Sequence, residues 1–279
     1  MKVLVTGSSG RIGRYVVREL LSAGHDVLGV DLVAPSEAAG RFLRVDLTNA
    51  GETYQAVAGA EAVVHMGAWA DAGKVPDTRT YAENVQSTFN VLQACADLGV
   101  RRVISASSGQ VYGFHRLAPL YLPVDENHPL RPVNSYALSK TAGEQMADYF
   151  VANRGLTVLS FRLNGIRAPA FLAAEIEQLQ RDPHRAAGQM WTRTDCRDAA
   201  LACRLALEAD TVQSGVYNIT GGLVIEDDPV SLVRQQYGTE PEIRGDLSAY
   251  LSPISCARAE AAFGYRPRYL WSIHQQHPE

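Results

Sequence analysis

Tyr136 and Lys140 stand four residues apart and could together move a proton. In a helix this spacing places both side chains on the same face. A free tyrosine has a pKa of about 10 and is a poor base at neutral pH, but a neighbouring ammonium lowers that pKa and favours the phenolate. The spacing therefore predicts an acid–base pair, with a solvent-exposed surface pair as the alternative.

A glycine-rich turn near the start of the chain could hold a phosphate group. The run TGSSGRIG occupies residues 6–13, directly after an apolar segment and directly before an amphipathic one. We expect Gly7 to permit a tight turn, Gly10 to let a pyrophosphate approach the backbone, and Gly13 to let the helix pack closely. The helix N-terminus then offers N–H groups and a positive dipole to the phosphates. The run predicts a dinucleotide site.

Asp31 follows this turn by about 20 residues, at the end of the next apolar segment. A carboxylate there can accept hydrogen bonds from both ribose hydroxyls of NAD and would repel the 2′-phosphate of NADP. Arg11 near the phosphates keeps NADP from being excluded. The alternative is that Asp31 only caps a turn. The position favours NAD as the cofactor.

Short apolar runs alternate with amphipathic stretches, which is typical of βαβ units and a parallel sheet. Strands are predicted at 3–6, 26–31, 42–45, 62–65, 102–105, 157–163 and 216–219. Helices are predicted at 12–23, 80–98, 136–153, 195–209, 229–237 and 256–263, and an irregular loop at 117–132.

This order predicts an α/β fold, a Rossmann-type doubly wound parallel sheet with a small C-terminal substrate-binding region. Residues 1–163 are predicted to form the NAD-binding domain, completed by about 195–219. Residues 164–194 and 220–279 are predicted to form the small substrate-binding region.

Composition limits the partners that this chain can have. The 26 basic and 30 acidic residues give a net charge of −4, without the basic excess of a nucleic-acid binder. No run of about 18 apolar residues predicts a membrane span. The four cysteines are far apart, which predicts no metal site and a reducing, cytoplasmic location. His65, His115 and His128 share no metal-like spacing and are expected to be solvated.

Four motifs resemble those of the extended short-chain dehydrogenase/reductase superfamily, and within it the NAD-dependent epimerase/dehydratase family with its UDP-glucose 4-epimerase-like members. They are the TGxxGxxG turn, the pair Asp46-Leu47, the run 65–68 and the helix from Asn84. In this family the pair contacts adenine and the run lies beside the cofactor. The resemblance implies an NAD site formed by Gly7, Ser9, Gly10, Arg11, Ile12, Gly13, Asp31, Asp46, Leu47, Met66, Gly67, Ala68, Asn84, Tyr136 and Lys140.

The run SASSGQVYG at 105–113 resembles the SSxxVYG segment of the family. The resemblance implies a catalytic set of Ser108, Tyr136 and Lys140, with Ser107 as the alternative serine. In the implied hydride transfer the Tyr136 phenolate removes a hydroxyl proton while hydride leaves the same carbon for nicotinamide C4, and Ser108 orients the oxygen. Family dehydratases carry Asp-Glu before Val-Tyr-Gly, where this chain has Gly-Gln, which argues against a dehydratase.

The substrate end gives mixed signals. The run FRLNG at 161–165 resembles the family's step into its substrate region, but only 28 residues, 163–190, lie between Arg162 of this run and Trp191. Trp191 stands where the family has a diphosphate-binding arginine; it either stacks on a sugar or fills the small domain. Arg244 matches a second such arginine. The short cap indicates a smaller, non-nucleotide substrate. The candidate substrate-binding residues are Ser108, Gln110, Asn164, Trp191, Arg193 and Arg244.

The leading hypothesis is an NAD-dependent oxidoreductase or epimerase that acts by hydride transfer at a hydroxyl-bearing carbon of a sugar or nucleotide sugar. The alternative is an NAD-dependent dehydrogenase of a small non-nucleotide sugar or uronate. A third possibility is a non-catalytic NAD-binding regulatory protein. The family resemblance also implies a homodimer through the helices predicted at 80–98 and 136–153.

Overall fold

A computed structural model describes residues 1–37, 39–249, 251–272 and 274–275. Its strands are β1 (Lys2–Thr6), β2 (Asp26–Asp31), β3 (Arg41–Arg44), β4 (Ala62–His65), β5 (Arg102–Ser108), β6 (Tyr121–Leu122), β7 (Thr157–Leu163), β8 (Ile166–Arg167), β9 (Thr192–Asp195), β10 (Gly215–Ile219), β11 (Gly222–Leu223) and β12 (Glu242–Ile243). Its helices are α1 (Gly13–Ser22), α2 (Ala50–Val57), α3 (Asp77–Leu98), α4 (Ser135–Arg154), α5 (Pro169–Arg181), α6 (Cys196–Glu208), α7 (Pro229–Tyr237) and α8 (Ala257–Phe263).

Seven parallel strands form the central sheet in the order β10-β7-β5-β4-β1-β2-β3. Helices cover both faces, so alternate residues of a strand enter different cores. Val3 and Val5 pack with α1 and α6, whereas Leu4 packs with α3 and α4. The strand order reverses between β1 and β4, the position where doubly wound sheets bind their ligands. The predicted Rossmann-type α/β fold is confirmed.

A third hydrophobic core lies outside the sheet. It joins the segment after β5 to α5, to residues 186–191 and to α7, with Trp191 and Leu232 among its buried members. Two small sheets, β11-β9-β8 and β12-β6, border this core. The predicted region 220–279 includes residues 250, 273 and 276–279, which lie outside the described residues.

Several predicted boundaries shift. Helix α3 begins at Asp77 rather than at residue 80, because Pro76 ends the preceding loop and fits the N-terminus of a helix. Strand β5 runs on to Ser108, past the predicted end at 105. Helices α2 and α5 are not among the predicted helices. The loop predicted at 117–132 contains β6, which pairs with β12. Pairing with a distant segment leaves no local sequence signal.

The expectation that His65 and His128 are solvated is wrong, because both are buried. His128 accepts the Leu120 N–H at 3.1 Å, and burial lowers the pKa of His128 to about 4. His115 is exposed. Within the described residues no helix is long and apolar enough to cross a membrane, and no cluster of three His, Cys, Asp or Glu side chains could hold a metal ion.

Candidate functional site

A cleft of about 630 Å³ opens at the carboxyl ends of the central strands. Most of the residues predicted for the cofactor, catalytic and substrate sites line this one cleft. They are Gly7, Gly10, Arg11, Ile12, Gly13, Asp31, Asp46, Leu47, Met66, Gly67, Ala68, Asn84, Ser108, Gln110, Tyr136, Lys140 and Asn164.

The glycine turn packs so tightly that two of its positions exclude a side chain. Gly7 has a φ of +63°, and a Cβ there would lie 2.7 Å from the backbone nitrogen of Gly67. A Cβ on Gly13 would lie 2.0 Å from the carbonyl oxygen of Gly7. No side chain among the described residues caps α1 at Ile12. The N–H groups of Arg14 and Tyr15 donate to backbone carbonyls, whereas Ile12 and Gly13 line the cleft at the helix start.

Asp31 both braces the turn and lines the cleft. Its carboxylate accepts the Ser9 N–H at 3.0 Å and the Val33 N–H at 3.3 Å. The Ser9 hydroxyl donates to the Val33 carbonyl at 2.6 Å. These bonds fix the carboxylate beside the phosphate-binding turn, the position from which it can meet ribose hydroxyls.

Two further loops form the walls of the cofactor half. After β3, the Asp46 carboxylate accepts the Thr48 N–H at 2.9 Å and the Thr48 hydroxyl at 2.7 Å, which closes a tight turn. After β4, the Gly67 N–H donates to the Thr6 hydroxyl at 3.1 Å. The Thr6 hydroxyl also lies 2.8 Å from Nδ1 of the buried His65, whose Nε2 lies 3.3 Å from the Thr88 hydroxyl. Burial, together with the Lys140 charge, lowers the pKa of His65 to about 3, so it is neutral and holds this loop in place.

Asn84 ties the loop after β4 to the helix that carries Tyr136. Its Oδ1 accepts the Trp69 N–H at 2.8 Å, while its Nδ2 donates to the Trp69 carbonyl at 3.2 Å and to the Ser139 hydroxyl at 3.1 Å. Its amide is thus occupied by protein groups, and its role at the cleft wall is to position neighbours.

Ser108 and Tyr136 meet at the inner end of the cleft, and both are buried. Burial raises the pKa of Tyr136 to about 12; a hydrogen bond with the Ser108 hydroxyl opposes that rise, the charge of Asp71 adds to it, and the charge of Arg11 opposes it. The structure thus shows a raised pKa where the spacing with Lys140 predicts a lowered one. The Lys140 ammonium lies 5.7 Å from the centre of the Tyr136 ring and donates to the Ala106 carbonyl at 2.8 Å. Burial lowers the pKa of Lys140 to about 8. The residues are placed for proton transfer at a group bound beside them.

The two candidate serines point to different places, because neighbouring residues of a strand face opposite sides. The Ser107 hydroxyl donates to Glu144 at 2.5 Å, inside a buried ion pair with Arg162. The Ser108 hydroxyl instead accepts the Gln110 N–H at 3.2 Å at the cleft. This geometry favours Ser108 over Ser107 as the catalytic serine.

Three predicted substrate residues do not come together with the others. Trp191 is buried in the third core, and its indole donates to the Pro183 carbonyl at 3.0 Å. Arg193 is buried and pairs with Glu175 at 2.8 Å. Arg244 is on the outer surface, 3.6 Å from the centre of the Tyr121 ring. None of the three lines the cleft, so the structure does not bring them together with the other predicted substrate residues.

Sequence reasoning missed three residues at the mouth of the cleft, namely Asp71, His115 and Gln189. Nε2 of His115 lies 3.1 Å from the amide nitrogen of Gln189. Gln189 is placed by the consecutive left-handed residues Met190 (φ +51°) and Trp191 (φ +55°). A left-handed turn without glycine has no sequence signal, which explains the omission.

The model of the NAD dependent epimerase/dehydratase family matches residues 3–220, which is more than half of the chain. The chain belongs to this family. The family predicted from the motifs is thereby confirmed, and NAD, on which the family depends, is confirmed as the cofactor.

Relatives in this family carry different activities in their names. A uronate dehydrogenase of Pseudomonas putida is 31% identical over 170 residues, covering 58% of this chain and 60% of the relative. The L-arabinose 1-dehydrogenase (NAD(P)+) of Haloferax volcanii is 26% identical over 278 residues, 96% of each chain. The match thus spans only 58–60% of the length of the uronate dehydrogenases.

Among solved structures, a short-chain dehydrogenase/reductase superfamily protein from Agrobacterium tumefaciens with bound NAD has a TM-score of 0.76. It is 27% identical and covers 98% of this chain and 94% of its own. With 98% of this chain covered, the likeness includes the region around the third core.

The residues of this family member fit NAD. The N–H groups at the start of α1 suit the pyrophosphate, and the Asp31 carboxylate suits the adenine-side ribose hydroxyls. Lys140 is the buried cation that can reach the nicotinamide-side ribose. The glycine positions that exclude a Cβ keep the backbone open to the phosphates.

Proposed function

We propose that this protein is an NAD-dependent oxidoreductase that transfers hydride at a hydroxyl-bearing carbon of a sugar. One observation carries the proposal: Ser108, Tyr136 and Lys140 lie together in the same cleft that the glycine turn and Asp31 line. That convergence also argues against a non-catalytic NAD-binding role, which needs no acid–base pair in the cleft.

The chain's own residues would act as follows. Ser108 holds the substrate oxygen, and Tyr136, as the phenolate, accepts the hydroxyl proton. Lys140 stabilises the phenolate charge. Bound NAD supplies the hydride acceptor. Because Gly109 and Gln110 cannot transfer protons, water elimination is not part of the proposed reaction.

The substrate end favours a small sugar over a nucleotide sugar, and therefore a net dehydrogenase over an epimerase. The guanidinium groups of Arg193 and Arg244 lie outside the cleft, and Trp191 fills the core of the cap. A nucleotide diphosphate would therefore lack the two family-motif arginine positions, although Arg11 and Arg167 line the cleft. The two relatives named above, a uronate dehydrogenase and an L-arabinose 1-dehydrogenase, support this choice.

Incubation with NAD and a panel of sugars tests the proposal. The panel contains L-arabinose, D-galactose, D-galacturonate, UDP-glucose and UDP-galactose. NADH absorbance and sugar NMR follow the reaction. We expect NADH to accumulate in step with oxidation of a free sugar. A new isomer of a UDP-sugar without net NADH would instead identify an epimerase. No change in any sugar would contradict the proposed activity.

We further propose that residues 1–163, with 195–219, form the NAD-binding domain, and that 164–194 and 220–279 form the substrate-binding region. The separate core around Trp191 supports this division. The scattered cysteines, all four of which are free thiols, support a reducing, cytoplasmic location.

We also propose a homodimer through α3 and α4. These helices pack on each other, and their outer surface exposes the apolar rings of Phe89 and Tyr149, both in contact with Phe150. Burial of exposed aromatic rings favours association. We expect light scattering to give the mass of two chains, and Phe89→Glu to shift the mass toward one chain. A monomeric wild type at micromolar concentration would contradict the dimer.

A further inference from the structure

Asp71 is held in a backbone conformation that side chains rarely adopt. Its φ is +128°, although it is not a glycine. Such conformations are strained and persist where the surrounding structure holds the residue in place. Asp71 is exposed in the loop between β4 and α3, where it lines the cleft, and its charge raises the pKa of Tyr136.

Hydrogen bonds fix this carboxylate relative to the catalytic helix. Oδ1 of Asp71 accepts the Gln110 side-chain amide at 3.0 Å and the Ala72 N–H at 2.9 Å. The Gln110 oxygen in turn accepts the Asn134 amide at 3.0 Å, and Asn134 caps α4 by accepting the Ala137 N–H at 2.7 Å. Within the described residues no hydrogen bond reaches Oδ2 of Asp71, which leaves one carboxylate oxygen for a bound molecule.

Three arginines near the substrate end form ion pairs with glutamates of the protein. Arg167 pairs with Glu175 at 2.7 Å, and Arg193 shares the same carboxylate at 2.8 Å. Arg162 pairs with Glu144 at 2.8 Å in the buried interior. Three further cations line the cleft, namely Arg11, Lys74 and Lys140. Lys74 is exposed on the same loop as Asp71, and Lys140 donates to the Ala106 carbonyl. Asp71 is the carboxylate of this lining that Gln110 fixes near Tyr136.

We propose that Asp71 is a specificity-determining residue: its carboxylate accepts hydrogen bonds from the hydroxyls of a neutral sugar and repels the carboxylate of a sugar acid. A carboxylate oxygen accepts hydrogen bonds from sugar hydroxyls. Its negative charge repels the carboxylate of a sugar acid, which disfavours that competing ligand. This inference rests on the proposed sugar oxidation and separates the protein from its uronate-dehydrogenase relatives.

Matched substrate pairs test the proposal. The wild type is assayed with NAD on D-galactose against D-galacturonate and on D-glucose against D-glucuronate. We expect a kcat/KM at least about tenfold higher for the neutral member. Because a hydrogen bond to a charged group contributes about 1.5–3 kcal/mol, Asp71→Asn should lower kcat/KM for the neutral sugar by about 10- to 100-fold. The same variant should also raise the acid-to-neutral ratio.

Asn at this position can still accept from Gln110 and Ala72, so the loop should keep its structure, which a thermal melt would verify. Asp227→Asn, an exposed carboxylate outside the cleft, is the matched control and should leave the ratio unchanged. An acid preferred by the wild type, which would indicate that Lys74 binds it, would overturn the proposal. An unchanged ratio in Asp71→Asn would do the same.

A binding measurement separates this inference from the proposed activity. If no sugar reduces NAD, the proposed function fails, but calorimetry on the NAD-loaded Tyr136→Phe variant still compares each pair without turnover. Tighter binding of the neutral sugar supports the role of Asp71. Equal binding, tighter binding of the acid, or binding of neither sugar refutes it.

Discussion

Replacement of Tyr136 by phenylalanine is expected to lower kcat for NADH formation by about 10²- to 10⁴-fold, the usual contribution of a positioned acid–base group. The substitution removes the only atom that can accept the substrate proton from this side chain, while the ring still fills its buried position on α4. NAD binding, measured by calorimetry, should change little. Steady-state rates with a substrate from the sugar panel give the comparison.

The pH profile provides a second readout of the same variant. Burial raises the pKa of Tyr136 to about 12, so the phenol is mostly protonated at neutral pH and the wild-type rate should rise with pH as the phenolate forms. The residual rate of Tyr136→Phe should lack this rise. Tyr149→Phe is the matched control, because Tyr149 is an exposed tyrosine on the same helix. A wild-type rate in Tyr136→Phe would rule out the proposed mechanism.

The positions of the catalytic residues follow from local pattern. Ser108 ends an apolar strand, and Tyr136 and Lys140 share one face of a helix, so strand and helix periodicities place them without knowledge of the rest of the chain. The same holds for the glycine turn, because a strand, a tight turn and a helix follow each other directly. The parallel order of the sheet then brings both sites to one edge.

The substrate end does not follow from local pattern. Trp191 and Arg193 match a family segment by position, but the packing of α5 turns them into the cap's own core and into an ion pair with Glu175. Asp71 and His115 lie on loops, whose course depends on distant contacts such as that between Asp71 and Gln110. The burial of His65 does not follow from the sequence, because only tertiary packing places the side chain between Thr6 and Thr88.

Replacement of Arg162 by leucine is expected to lower the free energy of unfolding by about 3–5 kcal/mol, because it leaves the Glu144 carboxylate buried without its partner. Both side chains are buried. Nη2 of Arg162 donates to Oε2 of Glu144 at 2.8 Å, and Nε donates to Oε1 at 2.9 Å. Arg162 also donates to the Tyr112 hydroxyl at 3.0 Å and to the Glu126 carbonyl at 2.9 Å. Urea denaturation at neutral pH measures the loss.

The double variant Arg162→Leu, Glu144→Leu shows whether the loss comes from the orphaned charge. Removal of both charges should recover a large part of the stability, since well-packed apolar pairs often replace buried ion pairs at little cost. Arg204→Leu, which breaks the more exposed pairs with Glu19 and Glu208, should cost below about 1 kcal/mol. If Arg162→Leu costs no more than this control, the buried pair does not stabilise β7 against α4.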